Sequence, residues 1–90
     1  MSSVLIPTPL RKLTNNADTV FVSGATICEL INNLDSGYPG IKERLCLEDG
    51  SIRTFINIFV NGEDIRFLQD INTSIKDPDE ISIMPAIAGG

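Results

Sequence analysis

Apolar and polar residues alternate in several short segments of the chain, a pattern typical of β-strands with one buried face. The clearest case is FINIFV, which is followed by Asn61-Gly62, a dipeptide strongly favoured in tight hairpin turns. Pro85 follows the last alternation and should end it, because proline has no amide hydrogen to donate to a sheet. The pattern predicts these strands: Ser3–Thr8, Asp18–Ser23, Phe55–Val60, Glu63–Leu68 and Glu80–Met84.

Between the second and third predicted strands, apolar residues are spaced as in an amphipathic helix. Thr26 is placed to cap a first turn, with Glu29 reaching back three residues later, and Gly37 can take the left-handed conformation that ends a helix. Apolar residues follow the cap at i, i+3, i+4 and i+7, which gives a helix one apolar stripe. These residues are Ile27, Leu30, Ile31 and Leu34. A helix over residues 26–36 is therefore predicted.

The segments between these elements contain residues that favour turns. We expect a short helical turn at Ile41–Leu45. Loops and turns are expected at Pro9–Ala17, Pro39-Gly40, Glu48–Gly50 and Asp77–Asp79.

The resulting order, β-β-α-β-β-β, predicts an α+β domain in which a mixed sheet of about five strands packs one main helix on one face. This arrangement is the β-grasp fold. We expect the domain over residues 1–85 and a flexible Gly-Gly tail over residues 86–90. The predicted core consists of Val4, Ile6, Val20, Val22, Ile27, Leu30, Ile31, Leu34, Ile56, Ile58, Val60, Ile81 and Ile83.

Composition and charge limit the classes of function. The chain has 90 residues and a formal net charge of −5, so it has room for one small core and would repel nucleic-acid phosphates. Residues 61–90 hold six acids against two bases, which either solvate the surface or steer a basic partner. No apolar run approaches the roughly 20 residues of a membrane span. Because the first residues also lack the features of a signal peptide, we expect a cytoplasmic protein that binds neither nucleic acid nor membrane.

The sequence offers little for catalysis. It contains no histidine, which excludes Ser-His-Asp and Cys-His sites and histidine metal sites. Cys28, near the helix start, is interpreted as a boundary residue, and Cys46 as a satellite core residue. A disulfide between the two stays open, although a reducing compartment argues against it. We therefore expect no catalytic residue, no metal site and no cofactor.

The last five residues of the sequence carry no charged or polar side chain. Ala86, Ile87 and Ala88 carry no charge, and Gly89 and Gly90 have no Cβ, so another protein can close on this backbone from both sides. Such an end is either a frayed terminus or a tether whose terminal carboxylate threads a narrow channel. Adenylation by ATP would give that carboxylate a good leaving group. A partner must supply this reaction, since the chain has no phosphate-binding loop.

With a β-grasp order, an acidic last third and the ending PAIAGG, the chain resembles the bacterial sulfur-carrier proteins of the ubiquitin-like ThiS/MoaD family. The resemblance covers essentially the whole chain. Three segments are especially similar to the CysO type, which serves cysteine synthesis: Gly40–Leu45 (GIKERL), Phe55–Phe67 (FINIFVNGEDIRF) and Ile83–Gly90 (IMPAIAGG).

The resemblance implies a carrier cycle centred on Gly90. An E1-like enzyme adenylates the Gly90 carboxylate, and sulfur then replaces AMP to give a thiocarboxylate. In the cysteine pathway the thiocarboxylate attacks an aminoacrylate held on a PLP-dependent, cysteine-synthase-like enzyme, and a metalloprotease releases cysteine. The chain would thus be a protein cosubstrate rather than an enzyme, with residues 86–89 lining the partner's channel. Homocysteine, thiamin and molybdopterin pathways are the alternatives.

A partner-docking surface follows from combining the alternation with the family's strand order, 2-1-5-3-4. Residues that face away from the helix would form an apolar stripe beside the start of the tail. They are Leu5, Phe21, Phe59 and Met84. Our hypothesis is that this stripe docks the adenylating enzyme; the alternative is a set of scattered surface hydrophobes.

Two other functions compete with the sulfur carrier. A ubiquitin-like modifier would be joined to lysines of target proteins through Gly90, using the same adenylation. A pure interaction domain would not need Gly90 at all. Catalysis by the chain itself is disfavoured by the missing histidine.

Overall fold

The computed structural model describes residues 1–76 and 78–85. The predicted tail, residues 86–90, and Asp77 of the predicted turn lie outside the described residues. The strands are β1 (Ser2–Leu5), β2 (Thr19–Val22), β3 (Ile56–Val60), β4 (Glu63–Asp64) and β5 (Glu80–Pro85). The helices are α1 (Ile27–Gly37) and α2 (Ile41–Leu45), with 3₁₀ turns at Thr8–Leu13, Ile65–Phe67 and Asp70–Asn72.

The sheet has the order β2-β1-β5-β3-β4, which confirms the predicted strand order. β1 runs parallel to β5, and the other neighbouring pairs are antiparallel. The parallel pair requires a long crossover, and α1 and α2 lie within it. The β-grasp prediction is confirmed. In the described parts of the chain, neither α1 nor α2 reaches the length or apolarity of a bilayer-crossing helix.

The core lies between the helices and one face of the sheet. All of the predicted core residues are buried except Ile56, which is partly buried against the cluster. The sequence analysis missed several apolar residues that close the core from turns and from α2. They are Leu10, Ile41, Leu45, Ile65 and Ile75.

Helix α1 begins as predicted and ends differently. The Thr26 hydroxyl accepts a hydrogen bond from the Glu29 amide at 3.2 Å, and Glu29 Oε1 accepts one from the Ala25 amide at 3.4 Å. Gly37 is the last helical residue and has no positive φ, so the prediction that it ends the helix in the left-handed conformation is wrong. A glycine with positive φ follows three residues later at Gly40, φ 100°, where the chain turns into α2.

The predicted strand Glu63–Leu68 is wrong beyond its first two residues. Asp64 caps a 3₁₀ turn by accepting a hydrogen bond from the Arg66 amide at 2.9 Å, which bends the chain out of the sheet. The bend places Ile65 in the core, and Phe67 is 87% exposed. The predicted loop Pro9–Ala17 likewise contains a 3₁₀ helix, Thr8–Leu13, which buries Leu10.

Candidate functional site

The predicted sulfur-carrying residue, Gly90, and the predicted channel residues Ala86, Ile87, Ala88 and Gly89 lie beyond the described residues. The structure does describe the strand from which they continue. β5 lies in the middle of the sheet, with β1 on one side and β3 on the other. The candidate site is therefore the end of β5 and the sheet face around it.

β1 and β3 support different parts of β5. β1 pairs with its beginning, from Glu80 to Ser82. β3 pairs with Ile81–Pro85, with Asn57 opposite Met84 and Ile56 opposite Pro85. In the described pairing, the last two residues of β5 are thus held in the sheet by the beginning of β3.

The prediction placed the end of this strand at Met84, and the structure extends it by one residue, to Pro85. The register explains why proline fits there. Opposite Pro85, the Ile56 amide donates to Arg53 O at 3.0 Å and its carbonyl accepts from Arg66 at 2.8 Å. Both polar groups of Ile56 are thus used away from β5, and the missing N–H of proline leaves no partner unsatisfied.

The predicted docking residues lie on the sheet face opposite the helices. Leu5 and Phe59 flank Ser82 in one row across β1, β5 and β3. Met84 lies two residues further along β5, a diagonal position from which its side chain can reach both. Leu5 and Met84 are 42% and 50% exposed, whereas Phe59 is half-buried.

Phe21 is placed at the far side of this face. It pairs with Ser3, in the row that continues to Glu80, and is 68% exposed on β2. The structure thus brings Leu5, Phe59 and Met84 together, while Phe21 lies at the edge of the group, in the diagonal position to Leu5.

The sequence analysis did not select other exposed apolar residues near the end of β5. Phe55, directly before β3, is 58% exposed. Its place in the alternation, on the face of Asn57 and Phe59, was the signal that could have added it to the stripe.

Arg66 was also not selected, and its guanidinium lies at the beginning of β3. Nη1 donates to Asn57 Oδ1 at 2.7 Å, and Nη2 donates to Ile56 O at 2.8 Å and to Thr54 O at 3.2 Å. The sequence analysis counted Arg66 only as one of two bases in an acidic region. Its acceptors lie 9 to 12 residues earlier, so no local pattern pointed to these hydrogen bonds.

Acidic groups at the other end of β5 make local hydrogen bonds. Asp79 Oδ1 accepts from Asn61 Nδ2 at 3.0 Å, and Oδ2 accepts from the Lys76 amide at 2.9 Å. These hydrogen bonds, first that from the Asn61 side chain, lower the pKa of Asp79 from its ordinary value. This carboxylate therefore stays charged and is occupied within the fold.

The cysteines do not form a reactive pair. Cys28 is exposed on α1, Cys46 is buried, and both are free. Burial raises the pKa of the Cys46 thiol, an effect that the nearby Lys42 opposes. The interpretation of Cys46 as a core residue is confirmed.

A depression in the described surface lies between the two helices and the loop after α2, and several of its polar groups bond one another. Asp35 accepts from the Gly40 and Lys42 amides, and Arg53 Nε donates to Glu43 O at 2.9 Å. Among residues 1–76 and 78–85, no group of three or more Cys, Asp or Glu side chains is arranged to hold a metal ion.

The chain is similar to known proteins over its whole length. The ThiS family model matches residues 4–90. Sulfur carrier protein CysO of Mycobacterium tuberculosis is 43% identical over 90 residues, which cover 98% of this chain and 97% of that protein. Small archaeal modifier protein 3 of Haloferax volcanii is 33% identical over 66 residues, which cover 73% of this chain and 71% of that protein.

Solved structures show the same fold. A chain in the crystal structure of the Amycolatopsis orientalis BexX/CysO complex superposes with a TM-score of 0.94 at 42% identity and covers 100% of both chains. Mycobacterium tuberculosis CysO superposes with a TM-score of 0.93 at 40% identity, covering 97% of this chain and 100% of that one.

Proposed function

The chain belongs to the ThiS family, and we propose that it is a sulfur carrier protein whose reactive group is the carboxylate of Gly90. The observation that carries this proposal is the 43% identity to a sulfur carrier over 98% of the chain. The family match also extends through residue 90, so it includes the Gly-Gly sequence.

The proposed chemistry needs a partner for each bond. A carboxylate oxygen of Gly90 attacks the α-phosphorus of ATP and releases pyrophosphate, which gives an acyl-adenylate. A sulfide nucleophile then attacks the carbonyl carbon, and AMP leaves with the oxygen. The product is a thiocarboxylate, in which the carrier keeps sulfur covalently bound until an acceptor takes it.

In this proposal, the partner enzymes bind the folded domain. Because β5 lies between β1 and β3, the reactive end is attached to the most supported strand of the sheet. The apolar face formed by Leu5, Phe59 and Met84, with Phe21 beside it, is our proposed docking surface for the E1-like adenylating enzyme. Its position next to the end of β5 would let one enzyme bind the face and receive the tail.

The sulfur acceptor in this proposal is an aminoacrylate bound to a PLP-dependent, cysteine-synthase-like enzyme. The thiocarboxylate sulfur forms a bond to the β-carbon of the aminoacrylate, which links the new cysteine to the Gly90 carbonyl. A metalloprotease then hydrolyses the bond between that carbonyl and the cysteine, which releases cysteine and regenerates the Gly90 carboxylate. The full-length similarity to CysO supports this acceptor over the thiamin and molybdopterin pathways. The chain would act as a carrier rather than a catalyst, and a cytoplasmic location remains a prediction.

A second candidate is conjugation to proteins. It is favoured by the 33% identity to a small archaeal modifier protein, and it begins with the same acyl-adenylate. The two functions differ only in whether sulfide or a lysine amine attacks the Gly90 carbonyl carbon of the acyl-adenylate.

Mass spectrometry of the protein isolated from its own cells tests the proposal. We expect a population whose Gly90 is heavier by the difference between sulfur and oxygen, and no such population in a variant that lacks Gly90. Detection of target lysines carrying a branched Gly-Gly remnant, without any thiocarboxylate, would instead establish the modifier. An unmodified Gly90 together with full function of the truncated variant would contradict both.

A further inference from the structure

In the described part of the chain, the beginning of β3 has no neighbouring strand on the side of β4. β4 pairs only with Phe59 and Val60, because the chain bends into the 3₁₀ turn after Asp64. Along the rest of β3, the edge that faces β4 has carbonyls but no strand to bond them. An edge of this kind normally frays or is covered by another group.

Arg66 covers this edge. One guanidinium nitrogen, Nη2, donates both to the carbonyl of Thr54, in the turn before β3, and to the carbonyl of Ile56, the first residue of β3. A second nitrogen donates to the Asn57 side-chain oxygen at 2.7 Å on the outer face. The planar fork of arginine suits this arrangement, because its donors are fixed relative to one another.

The bonded segment is the one that supports the end of β5. Ile56 pairs with Pro85 and Asn57 pairs with Met84. The Ile56 amide and carbonyl point away from β5. Because the backbone polar groups of neighbouring residues in a strand point to opposite sides, those of Asn57 point toward Met84. The same alternation predicts that the amide of Asn61, four residues after Asn57, also points toward β5. The Asn61 amide does donate to Glu80 O, at 2.8 Å.

We propose that Arg66 is a positioning residue that fixes the end of β5, and with it the point from which the tail leaves the domain. The hydrogen bonds described for its guanidinium go to Thr54, Ile56 and Asn57, none of which takes part in the proposed chemistry. It holds the beginning of β3 in strand conformation, and β3 in turn holds Met84 and Pro85. This inference rests on the proposed function only for its consequence in adenylation; the effect on the sheet is independent of it.

The first test measures amide hydrogen exchange by NMR in the isolated protein. For Arg66→Ala we expect exchange at Met84 and Asn57 to accelerate by about tenfold, the equivalent of one net charge-assisted hydrogen bond. Arg44→Ala is the matched control, because it removes the same charge from an exposed position on α2, which packs on α1 and the Thr8–Leu13 turn. An equal acceleration at Ile31, in the core of α1, would indicate general destabilisation and overturn the proposal.

Arg66→Lys separates charge from hydrogen-bond geometry. Lysine keeps the positive charge but cannot span the three acceptors with a fixed fork. We expect this variant to behave like Arg66→Ala, and exchange rates equal to those of the unaltered protein would contradict the proposed mechanism.

The second test measures steady-state adenylation by the adenylating enzyme. With the docking face intact but the tail less well directed, Arg66→Ala should lower kcat about fivefold and leave KM for the carrier nearly unchanged. A change in KM alone would mean that Arg66 contacts the enzyme directly, and kinetics equal to those of Arg44→Ala would mean that it has no role; either result overturns the proposal. If the unaltered protein is not adenylated at all, the proposed function fails, while the exchange test still decides whether Arg66 fixes the end of β5.

Discussion

At the scale of single residues, Asn61 joins two features that are far apart in the sequence. Asn61 and Gly62 both have positive φ, 51° and 89°, as the predicted hairpin turn requires. The Asn61 side chain also binds Asp79 and accepts from the Glu80 amide at 2.9 Å, which fastens the turn to the beginning of β5. The turn could be predicted from the dipeptide, but the link to Asp79 could not, because it joins residues 18 apart.

This link makes a prediction about acid sensitivity. Because the pKa of Asp79 is lowered in the folded protein from its ordinary 3.8, its carboxylate stabilises the fold above that pH, and the contribution is lost as the pH falls through the lowered pKa. We expect Asp79→Asn to reduce the free energy of unfolding at neutral pH and to flatten its decline in acid. Urea unfolding at neutral pH and at about pH 3 measures both.

Glu48→Gln is the control for that experiment, since it removes one negative charge from an exposed loop position. Its acid profile should follow that of the unaltered protein. Parallel profiles for Asp79→Asn and Glu48→Gln would contradict the role given to Asp79.

At the scale of elements, Gly24 before α1 has no room for a side chain, whereas Gly37 at the end of α1 does. A Cβ on Gly24 would lie 2.8 Å from the backbone nitrogen of Leu30 and 2.9 Å from its Cα, so β2 and α1 are joined at the closest approach that their backbones allow. A Cβ on Gly37, the last residue of α1, would meet nothing within 4 Å.

The two alanine substitutions should therefore change stability in opposite directions. Gly24→Ala forces backbone apart and should destabilise the protein by about 1–3 kcal/mol. Gly37→Ala restricts the unfolded chain and favours helix, so it should stabilise the protein by about 0.5–1 kcal/mol. Chemical denaturation of both variants measures the difference, and equal effects would contradict the described contact.

Element prediction succeeded where a pattern is local and repeated. The α1 stripe is buried as expected, and the FINIFV alternation correctly predicts a strand whose Ile58 and Val60 are buried. It failed at Glu63–Leu68 because a single aspartate cap turns the chain and overrides the strand pattern of the residues after it. Ile75 was missed for a related reason: its amide bonds Ala25 O across the start of α1, a contact that no spacing reveals.

At the scale of the whole molecule, helices cover one sheet face and leave the other with its apolar side chains uncovered in the described structure. The period of two predicted which residues lie there, and the strand order placed them. It could not predict how far each side chain protrudes: Phe59 is half-buried, whereas Leu5 and Met84 are well exposed. The prediction that Gly90 carries the sulfur rests on the sequence, because residue 90 lies outside the described residues.

The docking proposal is best tested with Leu5→Glu rather than Phe59→Glu, because a charge at the half-buried Phe59 would also disturb packing. If the face docks the adenylating enzyme, Leu5→Glu should slow adenylation by about tenfold or more and leave the fold intact by circular dichroism. Leu47→Glu is a matched control, since Leu47 is 45% exposed and lies in the loop after α2, outside the sheet. Equal adenylation of the two variants would remove the face as a docking surface.

The central position of β5 has a consequence for biosynthesis. The β1–β2 and β3–β4 hairpins are synthesised early, yet they share no sheet contact until residues 80–85 insert between them. A nascent chain interrupted before that point cannot complete its sheet. On the ribosome, the two hairpins therefore remain separate until translation has passed residue 85.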